Sequence, residues 1–165
     1  MLKKVAVLTF AAVMAVAASP LAAQDASPLT VRMVKLGADG QMESADQVNP
    51  GDAVRYLLVF ANPTDGPLRS VVFDDPIPQG FVYTLGTATA DPDSVLIEFS
   101  VDGGQTFTTE PTVDVRDEAG QLVRQPAPAA AYTHIRWTVQ GELAQGASVT
   151  ASFDATLGSG SPNTY

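Results

Sequence analysis

The chain has 165 residues, 45% of them hydrophobic, with 9 Lys and Arg against 18 Asp and Glu, one His and no Cys, giving a net charge of −9. That balance opposes binding to nucleic acid, where Lys and Arg must neutralise phosphates, and opposes docking on anionic membrane surfaces. Without cysteine there are no disulfides, the staples common in small exported domains, and no thiol for a lipid anchor.

Residues 1–23 read as a cleavable signal peptide. Lys3 and Lys4 supply the positive start, Val5 to Ala18 is apolar apart from Thr9, Ser19-Pro20 breaks the run, and Leu21-Ala22-Ala23 offers small residues before Gln24. The apolar run falls short of the roughly 20 residues that span a bilayer, so cleavage is expected rather than anchoring. The remaining 142 residues suit one domain, with 7 basic residues left against 18 acidic ones, a net charge of −11. No second apolar run follows, so no membrane span is expected in the mature chain, and the expected location is periplasmic or extracellular.

Residues 24–28 form a polar leader into a domain expected over 29–157. Leu29 to Leu36 (LTVRMVKL) reads as a strand, turned by Gly37-Ala38-Asp39-Gly40. Gln41 to Asp52 is polar and ends in Asn49-Pro50-Gly51-Asp52, a strong turn signal. From Ala53, residues Val54, Tyr56, Leu58 and Phe60 share one face while Leu57 and Val59 keep the other apolar, the pattern of a central strand. The loop NPTDGP, a strand over Leu68 to Phe73, the loop DDPIPQG and a strand over Phe81 to Leu85 follow.

Val95, Ile97, Phe99 and Val101 alternate with Leu96, Glu98 and Ser100 as a half-buried strand, turned at Asp102-Gly103-Gly104 into a short strand around Thr106 to Thr108. Val113 to Arg116 is a weaker strand ended by Asp117-Glu118-Ala119-Gly120, and Gln125 to Ala131 reads as a connector, extended or a single helical turn. Tyr132 to Val139 turns Ile135, Trp137 and Val139 inward. Val149, Ala151, Phe153, Ala155 and Leu157 form a last alternating strand, and residues 158–165 have the composition of a flexible tail. Short alternating strands separated by turns, with no amphipathic helix, predict an all-β fold: an immunoglobulin-like antiparallel β-sandwich of about seven to nine strands. Its expected core is Tyr56, Leu58, Phe60, Ile97, Phe99, Ile135, Trp137 and Phe153.

Tyr56-x-Leu58-x-Phe60-x-Asn62, Pro67, Val71-Val72, Asp75-Pro76-Ile77-Pro78-x-Gly80-Phe81-x-Tyr83 and Gly86 stand in a pattern that continues through Phe99 to Gly104 with Phe107, Tyr132 to Trp137, Leu143, Gly146 and Phe153. Over roughly residues 48–157 it resembles the conserved-repeat domain of bacterial envelope proteins (domain of unknown function number eleven). The resemblance implies an immunoglobulin-like module with no established catalytic activity, often found in tandem, where this chain carries one copy. Each residue also has a local task. Asn62 can cap its loop and Asp75 can accept N–H bonds from the turn it opens. Pro76 and Pro78 keep their segment out of a central ladder, and Gly80 permits a positive φ.

Chemical candidates are few. Ser100-Val101-Asp102-Gly103-Gly104-Gln105-Thr106-Phe107 also resembles the Asp-box hairpin turn of sialidases; a single copy reads as a turn. His134, the only histidine, lies out of phase with Ile135 and Trp137, so it points away from the core, and a triad needs a geometry that sequence does not fix. Zinc lacks a ligand set, with no cysteine and no second histidine. Asp74-Asp75, Asp91 with Asp93, and Asp114 with Asp117-Glu118 supply the oxygen ligands calcium prefers, without the spacing of a known calcium loop. No catalytic, cofactor-binding or metal residue is assigned. The expected role is that of an exported, non-catalytic module binding another exported protein or itself; a calcium- or carbohydrate-binding domain is the alternative.

Overall fold

The alternating run from Ala53 becomes the strand around which the larger sheet is built. The computed structural model describes residues 28–92 and 94–159; the segment read as a signal peptide, Asp93 and residues 160–165 lie outside them. Strands β1 (Leu29–Leu36), β2 (Met42–Glu43), β3 (Ala53–Ala61), β4 (Leu68–Arg69), β5 (Val72–Pro76), β6 (Phe81–Tyr83) and β7 (Thr89–Asp91) occupy the first half. Strands β8 (Val95–Ser100), β9 (Thr112–Arg116), β10 (Leu122–Pro126), β11 (His134–Val139), β12 (Glu142–Leu143) and β13 (Ser148–Leu157) complete it. A 3₁₀ turn at Ala129–Ala131 is the sole helical element among the described residues.

The larger sheet runs β2-β1-β3-β13-β6, with β7 also on β13; the smaller is β5-β11-β8, and β9–β10 and β4–β12 pair as separate ribbons. Every pairing is antiparallel. Register sets the faces, because residues directly opposite each other point the same way. Val54, Tyr56, Leu58 and Phe60 of β3 lie opposite Ala155, Phe153, Ala151 and Val149 of β13, and this face meets the smaller sheet. Tyr56 stacks on Phe153 at 4.8 Å, Trp137 of the smaller sheet lies 6.2 Å from Phe153, and Phe73 stacks on Trp137 at 5.6 Å. One hydrophobic cluster therefore joins both sheets, a sandwich-like all-β arrangement. Tyr56, Leu58, Ile135, Trp137 and Phe153 are buried as expected, while Phe60, Ile97 and Phe99 are half-buried at the cluster's margin.

The chain departs from its sequence reading in specific places. Leu68 to Phe73 is not one strand: Ser70 has φ 55°, a left-handed conformation that breaks it. The break lets β4 pair with β12 while β5 joins β11 in the other sheet. The segment Asp74–Pro76, expected in a loop, extends β5 at the edge of the smaller sheet, where a proline is tolerated. The strand expected at Thr106 to Thr108 reduces to a single bridge between Phe99 and Thr108. Gln125 and Pro126 belong to β10 rather than to a connector, and the strand expected over Phe81 to Leu85 ends at Tyr83. Among the described residues thirteen strands replace the expected seven to nine, and eight of them have five or more residues.

Candidate functional site

Asn62 terminates β3, where its buried amide ties two distant loops together. Nδ2 donates to the carbonyl oxygens of Gly66 at 2.8 Å and of Leu143 and Ala144 at 3.0 Å each. Its Oδ1 accepts from the Thr64 backbone N–H at 2.9 Å and from Thr64 Oγ1 at 2.7 Å. The loop cap expected of Asn62 is present and extends further, to the β12–β13 loop. Gly80 has the positive φ, 89°, expected before re-entry into a strand.

The Asp-box-like segment is a turn built around one carboxylate. Asp102 Oδ1 accepts from Ser100 Oγ at 2.7 Å, Thr106 N at 2.9 Å and Gln105 N at 3.0 Å, while Oδ2 accepts from Thr106 Oγ1 at 2.6 Å. Bonds from the Thr106 hydroxyl, the Thr106 N–H and the Ser100 hydroxyl hold this carboxyl well below the usual carboxylate range. His134 lies directly opposite Ser100 in the register, so serine, histidine and aspartate do meet here. They are not arranged for nucleophilic catalysis. The Ser100 proton goes to Asp102, its oxygen accepts from Gly104 N at 2.9 Å, and Ser100 is buried. His134 Nδ1 pairs with Thr133 Oγ1 at 3.2 Å, and its ring lies 3.4 Å from where a Cβ on Gly104 would sit. A triad requires the base to hydrogen-bond the nucleophile, and here His134 does not.

Asp75 corrects its sequence reading. It does not cap a turn, because β5 continues through Pro76 and pairs Asp75 with Ile135, which places the carboxyl on the inward face. Its Oδ2 is buried without a hydrogen-bond partner. Burial, then the neighbouring Asp74 charge, pushes this carboxyl upward, with His134 opposing. Tyr56 is pushed up as well, by burial and then by Asp75.

Arg136, not singled out by sequence, organises the outer face of the smaller sheet. Its Nη2 donates to Asp74 Oδ2 at 2.7 Å, and its guanidinium carbon sits 3.6 Å above the Phe107 ring, a cation–π contact. The readable signal was strand phase: Arg136 alternates with the inward Ile135 and Trp137. On the larger sheet, Arg55 grips Asp154 in a two-pronged pair, Nε to Oδ1 at 2.6 Å and Nη2 to Oδ2 at 2.8 Å.

The acids proposed for calcium are dispersed. Asp74 pairs with Arg136, Asp114 with Arg124 at 3.0 Å, and Asp117 accepts from Gln121 N at 2.8 Å. Among the described residues no three His, Cys, Asp or Glu side chains converge, and Asp93 lies outside those residues. Shallow surface grooves include one of about 450 Å³ between Arg32–Val34 and Met42–Asp46, one of about 530 Å³ around Ser70, Val72 and Thr138, and one of about 470 Å³ around Lys35, Glu43 and Asp52. None of the three contains Asp75, Ser100, Asp102 or His134. No described helix is long and apolar enough to cross a membrane. No protein-family model matches the chain, and no curated protein matches it.

What the fold leaves unsatisfied is backbone. Ala61 N donates to Pro28 O and Gly37 N to Gln41 O, so even-numbered residues of β1 bond to β3 and odd-numbered ones face outward. β2 covers only Lys35 and Leu36. Among the described residues nothing pairs with the outward N–H and C=O groups of Leu29, Val31 and Met33, which leaves this stretch of β1 as an open sheet edge.

Proposed function

We propose that the protein is an exported, non-catalytic immunoglobulin-like module of the bacterial cell envelope that acts by contact with another exported protein or with a second copy of itself. The N-terminal leader supports export, and the resemblance of residues 48–157 to the conserved-repeat domain supports the module type. The observation that carries the reading is the open β1 edge, a surface able to accept a strand from a partner. Of the polar groups that suggested chemistry, Ser100 and Asp102 are committed to internal hydrogen bonds. Cross-linking in intact cells followed by mass spectrometry should recover a covalent adduct with an exported protein, from a mature chain starting at Gln24. A freely diffusing monomer that turns over a peptide, ester or glycan would overturn the reading.

A further inference from the structure

Open edges are usually blunted by proline, bulges, inward-pointing charges or a covering segment. β5 and β10 follow that practice, since both end in a proline that withholds its N–H. β9 ends in none, but its outward-bonding residues are Thr112, Asp114 and Arg116, because Ala127 N donates to Pro111 O and Asp117 N to Gln121 O across the hairpin. Any two-fold pairing of β9 with itself about Asp114 would set two aspartates opposite each other, which is unfavourable. Over Leu29–Met33, β1 has no proline, glycine or acidic residue.

The side chains on that stretch are also incompletely covered. Leu29, Val31 and Met33 lie opposite Phe60, Leu58 and Tyr56 of β3, on the face that carries the core. The smaller sheet has three strands against six, and among the described residues the margin of this face is only partly covered: Leu29 and Met33 pack against the core, while Val31 is 46% exposed. We infer that β1 is a self-pairing edge, joining antiparallel to β1 of a second copy of this chain about a two-fold axis at Val31. The inference rests on the reading of the protein as an interaction module and names its partner.

The register follows from which groups are free. With Val31 on the axis, Leu29 of each copy meets Met33 of the other, so every outward N–H and C=O from Leu29 to Met33 gains a partner. The half-exposed valines meet at the centre, next to two Leu–Met contacts, giving a continuous apolar strip. On the opposite face Arg32 falls opposite Thr30 of the second copy, so no like charges stand directly opposed. Lys35 stays clear of the axis, bonded to Asp52 at 2.7 Å under β2. β2 itself limits the ladder to five residues, roughly 16 Å of strand. An interface this narrow belongs to the class below about 1,200 Å², which supports transient association rather than obligate dimers.

The absence of native cysteine makes the test clean. Residues exchanging both hydrogen bonds in an antiparallel pair have Cα atoms about 5.5 Å apart, within disulfide reach. Under mild oxidation, Val31→Cys should give a covalent dimer at least about tenfold faster than Val59→Cys, a thiol similarly exposed but inside the sheet on β3, because pairing raises the effective thiol concentration. Sedimentation of the unmodified chain should show concentration-dependent dimer that Val31→Lys abolishes without lowering the melting temperature. A chain monomeric at every concentration, with both cysteine variants cross-linking equally slowly, overturns the inference. If Val31→Cys instead captures a different exported protein in cells, self-pairing fails while the interaction-module reading stands.

Discussion

Replacing Asn62 with alanine tests how far one buried amide holds this fold together. Its side chain donates to three carbonyl oxygens and accepts from Thr64 twice, in a residue 4% exposed. The Leu143 carbonyl is the buried partner, and leaving such an acceptor unsatisfied costs about 1–3 kcal/mol. The remaining, partly buried bonds contribute about 0.5–1.5 kcal/mol each where water cannot fully replace them. Asn62→Ala should therefore lose about 3–5 kcal/mol, a large part of the 5–15 kcal/mol or so typical of a domain. Urea melts followed by Trp137 fluorescence measure the loss directly. Asn62→Asp sharpens the experiment, since it keeps the acceptor for Thr64 but turns a carboxylate oxygen toward three carbonyls. At neutral pH it should be no more stable than Asn62→Ala, and it should gain on the alanine variant as falling pH protonates it. A loss under about 1 kcal/mol for Asn62→Ala would refute the reasoning, by showing that water satisfies the loops equally well.

Other perturbations follow from the same structure. Trp137 is fully buried and donates from Nε1 to Thr89 O at 3.2 Å, so its emission should be blue-shifted and Trp137→Ala should cost about 3–5 kcal/mol in a denaturant melt. Asp102, with a lowered folded pKa, contributes stability that is present above the ordinary carboxylate range and lost as pH falls through the depressed value. The gap in melting temperature between wild type and Asp102→Ala should shrink in that acid window. Asp75 has the opposite sign: its raised folded pKa gives a contribution present below the ordinary aspartate value and lost as pH rises through the raised one. Asp75→Asn should thus gain stability relative to wild type with rising pH, and a pH-independent difference would contradict the burial assigned to it. Melting curves in calcium and in chelator should superimpose; a calcium-dependent rise that disappears in Asp91→Asn or Asp93→Asn would instead reveal a site.

How much of this was legible depended on the range of the forces involved. Strands β3, β8, β11 and β13 show a two-residue period because one face of each meets the core, and that period can be read without partners. The two- and three-residue strands β2, β7 and β12 are too short to carry a period; pairing alone defines them, β2 with β1, β7 with β13 and β12 with the equally short β4. β10 was hidden because all five of its residues are exposed and it ends in proline. Asn62 and Asp102 were readable as turn caps because their Thr64 and Thr106 partners lie two and four residues away. The bond from Asn62 to Leu143, 81 residues away, was not. Asp75 was misread because Asp-Asp-Pro has turn composition, whereas its place is fixed by β11, supplied much later in the chain. The contact of Arg136 with Phe107 was hidden for the same reason, since neither residue implies the other along the chain.

The place of β13 has a consequence for when this chain can fold. It is the last of the described strands, yet it lies inside the larger sheet, between β3 on one side and β6 and β7 on the other. Arg55 and Asp154, paired across that seam, are 99 positions apart. A ribosome or a translocation pore delivers a chain from its N-terminus, so most of the sequence emerges while the middle of the sheet is still missing. Contacts of such separation form late and slowly. Until β13 arrives, β3 lacks its second neighbour and Tyr56 lacks the ring of Phe153 on which it stacks. The nascent protein is thereby kept from folding prematurely by its own topology, a useful property in any chain that must be threaded through a narrow channel.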